Sequence, residues 1–135
     1  MLAVKPVMDA ALAKELCELC AVPYKADSYT YFAADVNEDA TKINHIIGVC
    51  TCRMKGNVNE LEAVYAAPGV DDEEALIIMA RTVMNFMYRC EVKRVTLDRR
   101  YTDAELARKL GFSADGEELA LDLVEFYKAP CKFGH

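Results

Sequence analysis

The segment from Asp71 to Cys90 constrains this chain more than any other. Leu76, Met79, Val83, Phe86 and Cys90 return at helical spacing, while Glu74, Arg81, Asn85 and Arg89 keep to a narrow polar stripe. A helix of this kind needs a partner for its apolar side, and the neighbouring segments supply strands. Leu61 to Ala66 precedes it and stops at Pro68-Gly69; Glu91 to Leu97 follows it with alternating character. A helix from Thr102 to Leu110, closed by Gly111, and a last strand from Leu119 to Phe126 complete the C-terminal half. Strand and helix thus alternate, which implies crossover connections and an α/β architecture.

The N-terminal half reads as strand, helix and then two long strands. Leu2 to Val4 is a short apolar run ended by Lys5-Pro6. Asp9 stands at the start of a helix that runs to about Ala21 and is closed by Pro23. Ser28 to Val36 is aromatic and β-prone, and Asn37 to Lys42 is a polar turn. Ile43 to Arg53 carries the nearly continuous run Ile46-Ile47-Gly48-Val49-Cys50, the pattern of a strand buried on both faces. Lys55-Gly56-Asn57 then makes a turn of the kind that joins antiparallel strands.

A length of 135 residues, 53% of them hydrophobic and 28% charged, fits one folded domain over 1–135. The formal charge of −6 opposes both a nucleic acid and an anionic membrane. No apolar stretch approaches the roughly 20 residues of a membrane helix, and Lys5, Asp9, Lys14 and Glu15 interrupt the region where a signal peptide needs an apolar core. A cytoplasmic location is expected. Six cysteines, Cys17, Cys20, Cys50, Cys52, Cys90 and Cys131, are then thiols rather than disulfides. Cys17 and Cys20 fall on a helix and Cys50 and Cys52 on one face of a strand, so buried structural thiols are the first reading and a four-thiolate zinc site the alternative. His45 and His135 are the only histidines, and neither Ser28 nor Ser113 lies in a Gly-x-Ser-x-Gly turn, which disfavours histidine-based metal sites and serine hydrolase chemistry.

Five segments fall in a telling order: Val4-Lys5-Pro6-Val7-Met8-Asp9; Leu61-Glu62-Ala63-Val64-Tyr65-Ala66-Ala67-Pro68; the long helix; Lys93-Arg94-Val95-Thr96-Leu97; and Leu110-Gly111-Phe112. Together they resemble the GNAT superfamily of N-acetyltransferases, over nearly the whole chain from Leu2 to about Tyr127. The resemblance implies an α/β (α+β) fold with a mixed central sheet flanked by helices. It also implies acetyl-CoA bound where the fourth and fifth strands splay apart, here Leu61 to Ala66 and Val92 to Leu97. Only a few residues separate Pro23 from Ser28, so the second helix of the family has no room and the substrate-covering region is reduced.

The same resemblance assigns roles. The pantetheine arm of the cofactor would pair with backbone around Val64 and Ala66, and Glu60 falls where some members carry the catalytic base, with Glu62 two residues further along the same face. The general acid of many relatives, a tyrosine, corresponds to Ala107, leaving Tyr101 as a substitute if its loop folds inward. The family's diphosphate turn reads Arg/Gln-x-x-Gly-x-Gly/Ala; aligned on Pro68, this chain has Asp71, Glu74 and Leu76 at those three positions. A helix N-terminus attracts anions through its free N–H groups and dipole, yet Asp71-Asp72-Glu73-Glu74 places four carboxylates there. One like-charge pair at about 6 Å and an effective dielectric near 20 costs roughly 3 kcal/mol before salt screening, on the order of a hundredfold in affinity. Ordinary CoA binding should be weakened, although the acidic residues also stabilise the helix dipole or offer a site to a cation or amine.

Two functions follow from the sequence. One is acyl transfer from acetyl-CoA to an amine on a small molecule or protein, with Glu60 as base. The other is a GNAT-like module without transfer chemistry, which binds a partner or forms a homodimer, for instance through a C-terminal strand.

Overall fold

A computed structural model describes residues 1–128; Cys131 and His135 lie outside the described residues. In chain order the elements are β1 (Leu2–Val7), α1 (Ala10–Leu19), β2 (Tyr29–Val36), β3 (Ile43–Lys55), β4 (Val58–Ala66), α2 (Glu73–Arg89), β5 (Arg94–Leu97), α3 (Ala104–Leu110), β6 (Ser113–Asp115), β7 (Glu118–Asp122) and α4 (Leu123–Lys128). A single 3₁₀ turn, Arg99–Tyr101, follows β5. The strands form one seven-stranded sheet in the order β1-β2-β3-β4-β5-β7-β6. Only the β4–β5 pair is parallel. This is the mixed sheet flanked by helices that the resemblance implies. Among the described residues no helix is long and apolar enough to cross a membrane.

Helix α2 lies on one face of the sheet. Met79, Val83, Met84 and Met87 are fully buried there with Leu61, Val64, Val95, Leu110 and Leu123. The opposite face is covered by α1, whose N-cap Asp9 accepts from the Ala11 and Leu12 N–H groups. Cys17 and Cys20 pack there with Val49 and Ala63. Burial of Ile47 and Cys50 toward α2 and of Val49 toward α1 bears out the two-sided reading of β3.

Three register irregularities interrupt the ladders, one at Asn44 near the start of β3 and two further along the sheet. The β2–β3 register shifts so that Ile47 is the extra residue between Gly48 and Ile46, and the β3–β4 register shifts so that Glu62 is the extra residue between Leu61 and Ala63. Near the Ile47 bulge, Gly48 has no room for a side chain: an added Cβ would meet the Tyr65 carbonyl oxygen at 2.6 Å and the Leu76 side chain at 2.8 Å. Gly48→Ala is therefore expected to destabilise the fold by about 1–3 kcal/mol, because backbone must shift to admit the methyl group. Urea unfolding checks this, with a lowered midpoint at unchanged slope as the expected result.

Several segments differ from the sequence expectation, among them β4, which begins at Val58 rather than Leu61. Strand β1 continues past Pro6 to Val7, since it is the sheet's edge strand and the missing N–H costs no ladder bond on the outer side. The strand expected from Glu91 begins only at Arg94: Glu91 takes φ +69° and the Val92 N–H returns to the Met87 carbonyl, so residues 90–92 finish the helix. The last strand, expected over Leu119 to Phe126, is β7 followed by α4. Alternation along this run suits a strand, but the Asp122 carboxylate accepts the Glu125 N–H and starts a helix. The short β6, which the sequence reading missed, pairs with β7 in a hairpin.

Candidate functional site

Strands β4 and β5 meet only at Glu60↔Thr96 and Leu61↔Leu97. The Asp98 N–H donates to the Leu61 carbonyl at 3.1 Å, and the Asp98 side chain then caps the Arg99–Tyr101 turn. The chain after β5 thus turns away while β4 runs on to Ala66. From Glu62 to Ala66, β4 is paired with β3 on one side and has no strand neighbour on the other among the described residues. Val64 and Ala66 both lie on this stretch, opposite Cys50 and Gly48 of β3. A strand edge of this kind presents N–H and C=O groups to whatever amide approaches it.

At the mouth of the divergence are two carboxylates. Glu60 is half-buried, and burial, followed by repulsion from Asp98 and Glu62, raises its carboxyl above the ordinary glutamate value of 4.5; Lys25 and Arg100 offset part of this. Glu62 is buried with two partners from the segment between α1 and β2: Lys25 Nζ donates to Oε2 at 2.9 Å and Ser28 Oγ donates to Oε1. Asp98 is held below the usual carboxylate range by hydrogen bonds from Arg100. Glu60 also lines a cleft of about 290 Å³ with Asp98, Arg99, Arg100, Glu117 and Glu118. The sequence reading paired Glu60 with Glu62 but missed Lys25, Ser28 and Asp98. The segment from Cys20 to Ser28 holds no helix, as its length implied, and its side chains reach β4 instead.

The remaining family positions fall as follows. Tyr101 does fold inward and packs, partly buried, against the cluster of Cys17, Val49 and Ala63. Ala107 is buried in α3. Between β4 and α2, Ala67-Pro68-Gly69-Val70 forms a turn closed by the Val70 N–H on the Ala67 carbonyl, with Gly69 at φ +76°, a conformation a side chain would strain. Val70 packs against the buried clusters on both faces of the sheet. At the start of α2 the Asp72 carboxylate accepts the Ala75 N–H at 3.1 Å, and Glu73 is ion-paired with Lys109 of α3. Leu76 lies over Gly48, while Asp71 and Glu74 are exposed. The acidic turn therefore caps its own helix.

The thiols lie on opposite faces. Cys17 and Cys20 belong to the α1 side, Cys50 and Cys52 to the α2 side, so the four cannot surround one ion. All four are buried and free. Burial pushes Cys20 up to about 11 and Cys52 up to about 12, which suits inert core thiols rather than nucleophiles.

No protein-family model matches the chain, and no curated protein matches it in sequence. Solved structures do match. The PaiA N-acetyltransferase of Thermoplasma acidophilum, determined with coenzyme A, aligns with a TM-score of 0.61 at 14% identity over 89% of this chain and 96% of its own. The IAA acetyltransferase of Bacillus cereus aligns with a TM-score of 0.64 at 14% identity over 85% and 79%. A protein from Desulfovibrio desulfuricans described as an acetyltransferase of the GNAT family gives 0.63 at 12% identity over 91% and 99%. At such identities the likeness is one of architecture, and with the splayed β4–β5 pair in hand it leads to one conclusion: this chain has the fold of the GNAT superfamily of acetyltransferases.

Proposed function

We propose that the protein transfers an acetyl group from acetyl-CoA to an amine, with Glu60 as the general base and the backbone at Val64 and Ala66 holding the pantetheine arm. The observation that carries this reading is the β4 edge from Glu62 to Ala66, which has no strand partner among the described residues and opens beside a half-buried carboxyl. Acetyl-CoA supplies an acetyl group activated as a thioester. The chain's part is to align that donor along β4, exclude water, and let the Glu60 carboxylate take the proton the amine loses as it attacks. The pantetheine amides fit a strand edge. The diphosphate fits less well, because Asp72 already occupies the helix N-terminus and Asp71, Glu73 and Glu74 surround it. Glu60, Asp98, Glu117 and Glu118 outnumber Arg99 and Arg100 in the cleft, which favours a cationic acceptor.

A second reading rests on Val70 and on the Glu73–Lys109 pair. An apolar side chain packed on both faces at the divergence, and an ion pair from the start of α2 to α3, suit a domain that keeps the fold but binds a partner or self-associates without transfer. Calorimetric titration with acetyl-CoA separates the two. Transfer predicts a micromolar dissociation constant, and the module predicts neither heat nor a thermal shift at millimolar ligand.

A further inference from the structure

One amine is already in place where β4 and β5 part, and it belongs to the chain itself. Lys25 reaches from the helix-free segment between α1 and β2 onto β4, where its Nζ lies 2.9 Å from Glu62 Oε2. Glu62 is the bulged residue immediately after the last β4–β5 pair, Leu61↔Leu97. The Lys25 ammonium therefore sits where the two strands part. It is held there from two directions: the Ser28 hydroxyl donates to the other oxygen of the same carboxylate, and the Ser28 N–H closes a turn on the Lys25 carbonyl at 3.1 Å. The hydrogen bond to Glu62 raises the Lys25 pKa above its ordinary 10.5; burial opposes this, the charges of Glu62 and Glu60 add to it, and Arg53 opposes it, so the group rests as an ammonium. The Lys25 side chain is nonetheless 41% exposed, whereas the Glu62 side chain is only 7% exposed.

We infer that Lys25 is an acetylation site of this protein, modified in cis at the Glu60 centre. The inference rests on the acyl-transfer reading above and names the acceptor as a primary alkyl amine of the lysine kind. In the step, the Lys25 ammonium first gives one proton to solvent through the Glu62 carboxylate it is bonded to, and the resulting amine attacks the carbonyl carbon of the acetyl thioester; an N–C bond forms and the C–S bond breaks. The thiolate leaves with the bonding electron pair, and the proton lost by nitrogen passes to the Glu60 carboxylate. The product is an uncharged amide. Its formation removes the cation from Glu62, which keeps only the Ser28 hydroxyl, so the segment from Cys20 to Ser28 loses one of its two ties to β4.

The test incubates the purified chain with deuterated acetyl-CoA and, separately, with the short thioester S-acetyl-N-acetylcysteamine, which has no diphosphate for the acidic turn to repel. Peptide mass spectrometry follows each lysine over time, with exposed Lys5, Lys14 and Lys42 as internal references. The expected result is labelling of Lys25 at least tenfold faster than the references, at a rate unchanged on dilution of the protein, with the bias lost in Glu60→Gln. Lys25→Arg keeps a cation on Glu62 and should show no faster labelling elsewhere. Even labelling of all lysines, or an undiminished bias in Glu60→Gln, means ordinary chemical acetylation and overturns the proposal. Transfer to added amines with Lys25 unlabelled overturns it while leaving the acyl-transfer reading intact. Labelling of Lys25 by the short thioester alone supports it and removes CoA as the donor, and no labelling by either donor, with no transfer to added amines either, overturns it together with the role of Glu60.

Discussion

Glu60→Gln is expected to lower acetyl transfer by about 10²–10⁴-fold, the usual contribution of a positioned general base. The change is nearly isosteric at a half-buried position, and it removes a charge that Asp98 and Glu62 oppose, so the fold should not suffer. The loss should fall on kcat rather than on the KM for acetyl-CoA, because the amide still occupies the same space and the donor is held by β4 backbone. pH offers a second readout. Burial and the two neighbouring carboxylates raise the Glu60 pKa above its ordinary 4.5, so the group is an effective base only at pH above that raised value. Wild-type rate should therefore fall as the pH drops through it, with a midpoint higher than an unperturbed glutamate would give, and Glu60→Gln should lose that limb of the profile. A variant that keeps full rate and the same acidic limb would remove Glu60 from the mechanism.

The second large effect is expected at the start of α2. Replacing Asp71 by Arg and Glu74 by Gly converts two carboxylates near a helix N-terminus into one cation and one open backbone approach. A like-charge pair costs roughly 3 kcal/mol at about 6 Å before screening, so CoA affinity should rise on the order of a hundredfold at low salt and by less as salt screens the loop. Leu76, the third departure from the family's diphosphate pattern, is best left in place: it lies within 2.8 Å of where a Gly48 Cβ would be, and its removal would open the core along β3. Glu74→Gly itself costs about 1 kcal/mol of helix stability at most, which thermal unfolding will report separately from binding. Calorimetry with CoA reads the result. Unchanged affinity would shift the determinant from charge to Val70 and the Glu73–Lys109 pair, which lie at the same end of α2.

How far the chain could be read before its fold was known varies with the range of the interaction concerned. Asp9 caps α1 and Gly111 closes α3 in the left-handed conformation as short-range reasoning expects, while α3 starts two residues later than Thr102, capped by Asp103. The run from Leu119 to Phe126 defeated the same reasoning because its alternation fits a strand, while a single side-chain hydrogen bond from Glu125 to Asp122 decides for a helix at its second half. Pro6 misled in the other direction, since a proline ends a strand only where its N–H would have been used.

The candidate site divides in the same way. That Val64 and Ala66 lie on the strand ending before Pro68 was legible in the sequence, while the roles proposed for them and for Glu60 came from the family resemblance. Lys25 and Ser28 were not legible, because they are more than thirty residues distant from Glu62 in sequence and meet it only after β4 bulges and the segment before β2 folds onto it.

What the sequence by itself determined is most of the elements up to α3, their order and the sign of the charge at the start of α2, all of which depend on periodicity and on neighbours a few positions away. Only the tertiary structure decided where β4 and β5 part, which face each thiol takes, and which amine stands beside Glu62. Those outcomes turn on register, on a one-residue bulge and on contacts between distant segments, and no local pattern of side chains encodes them.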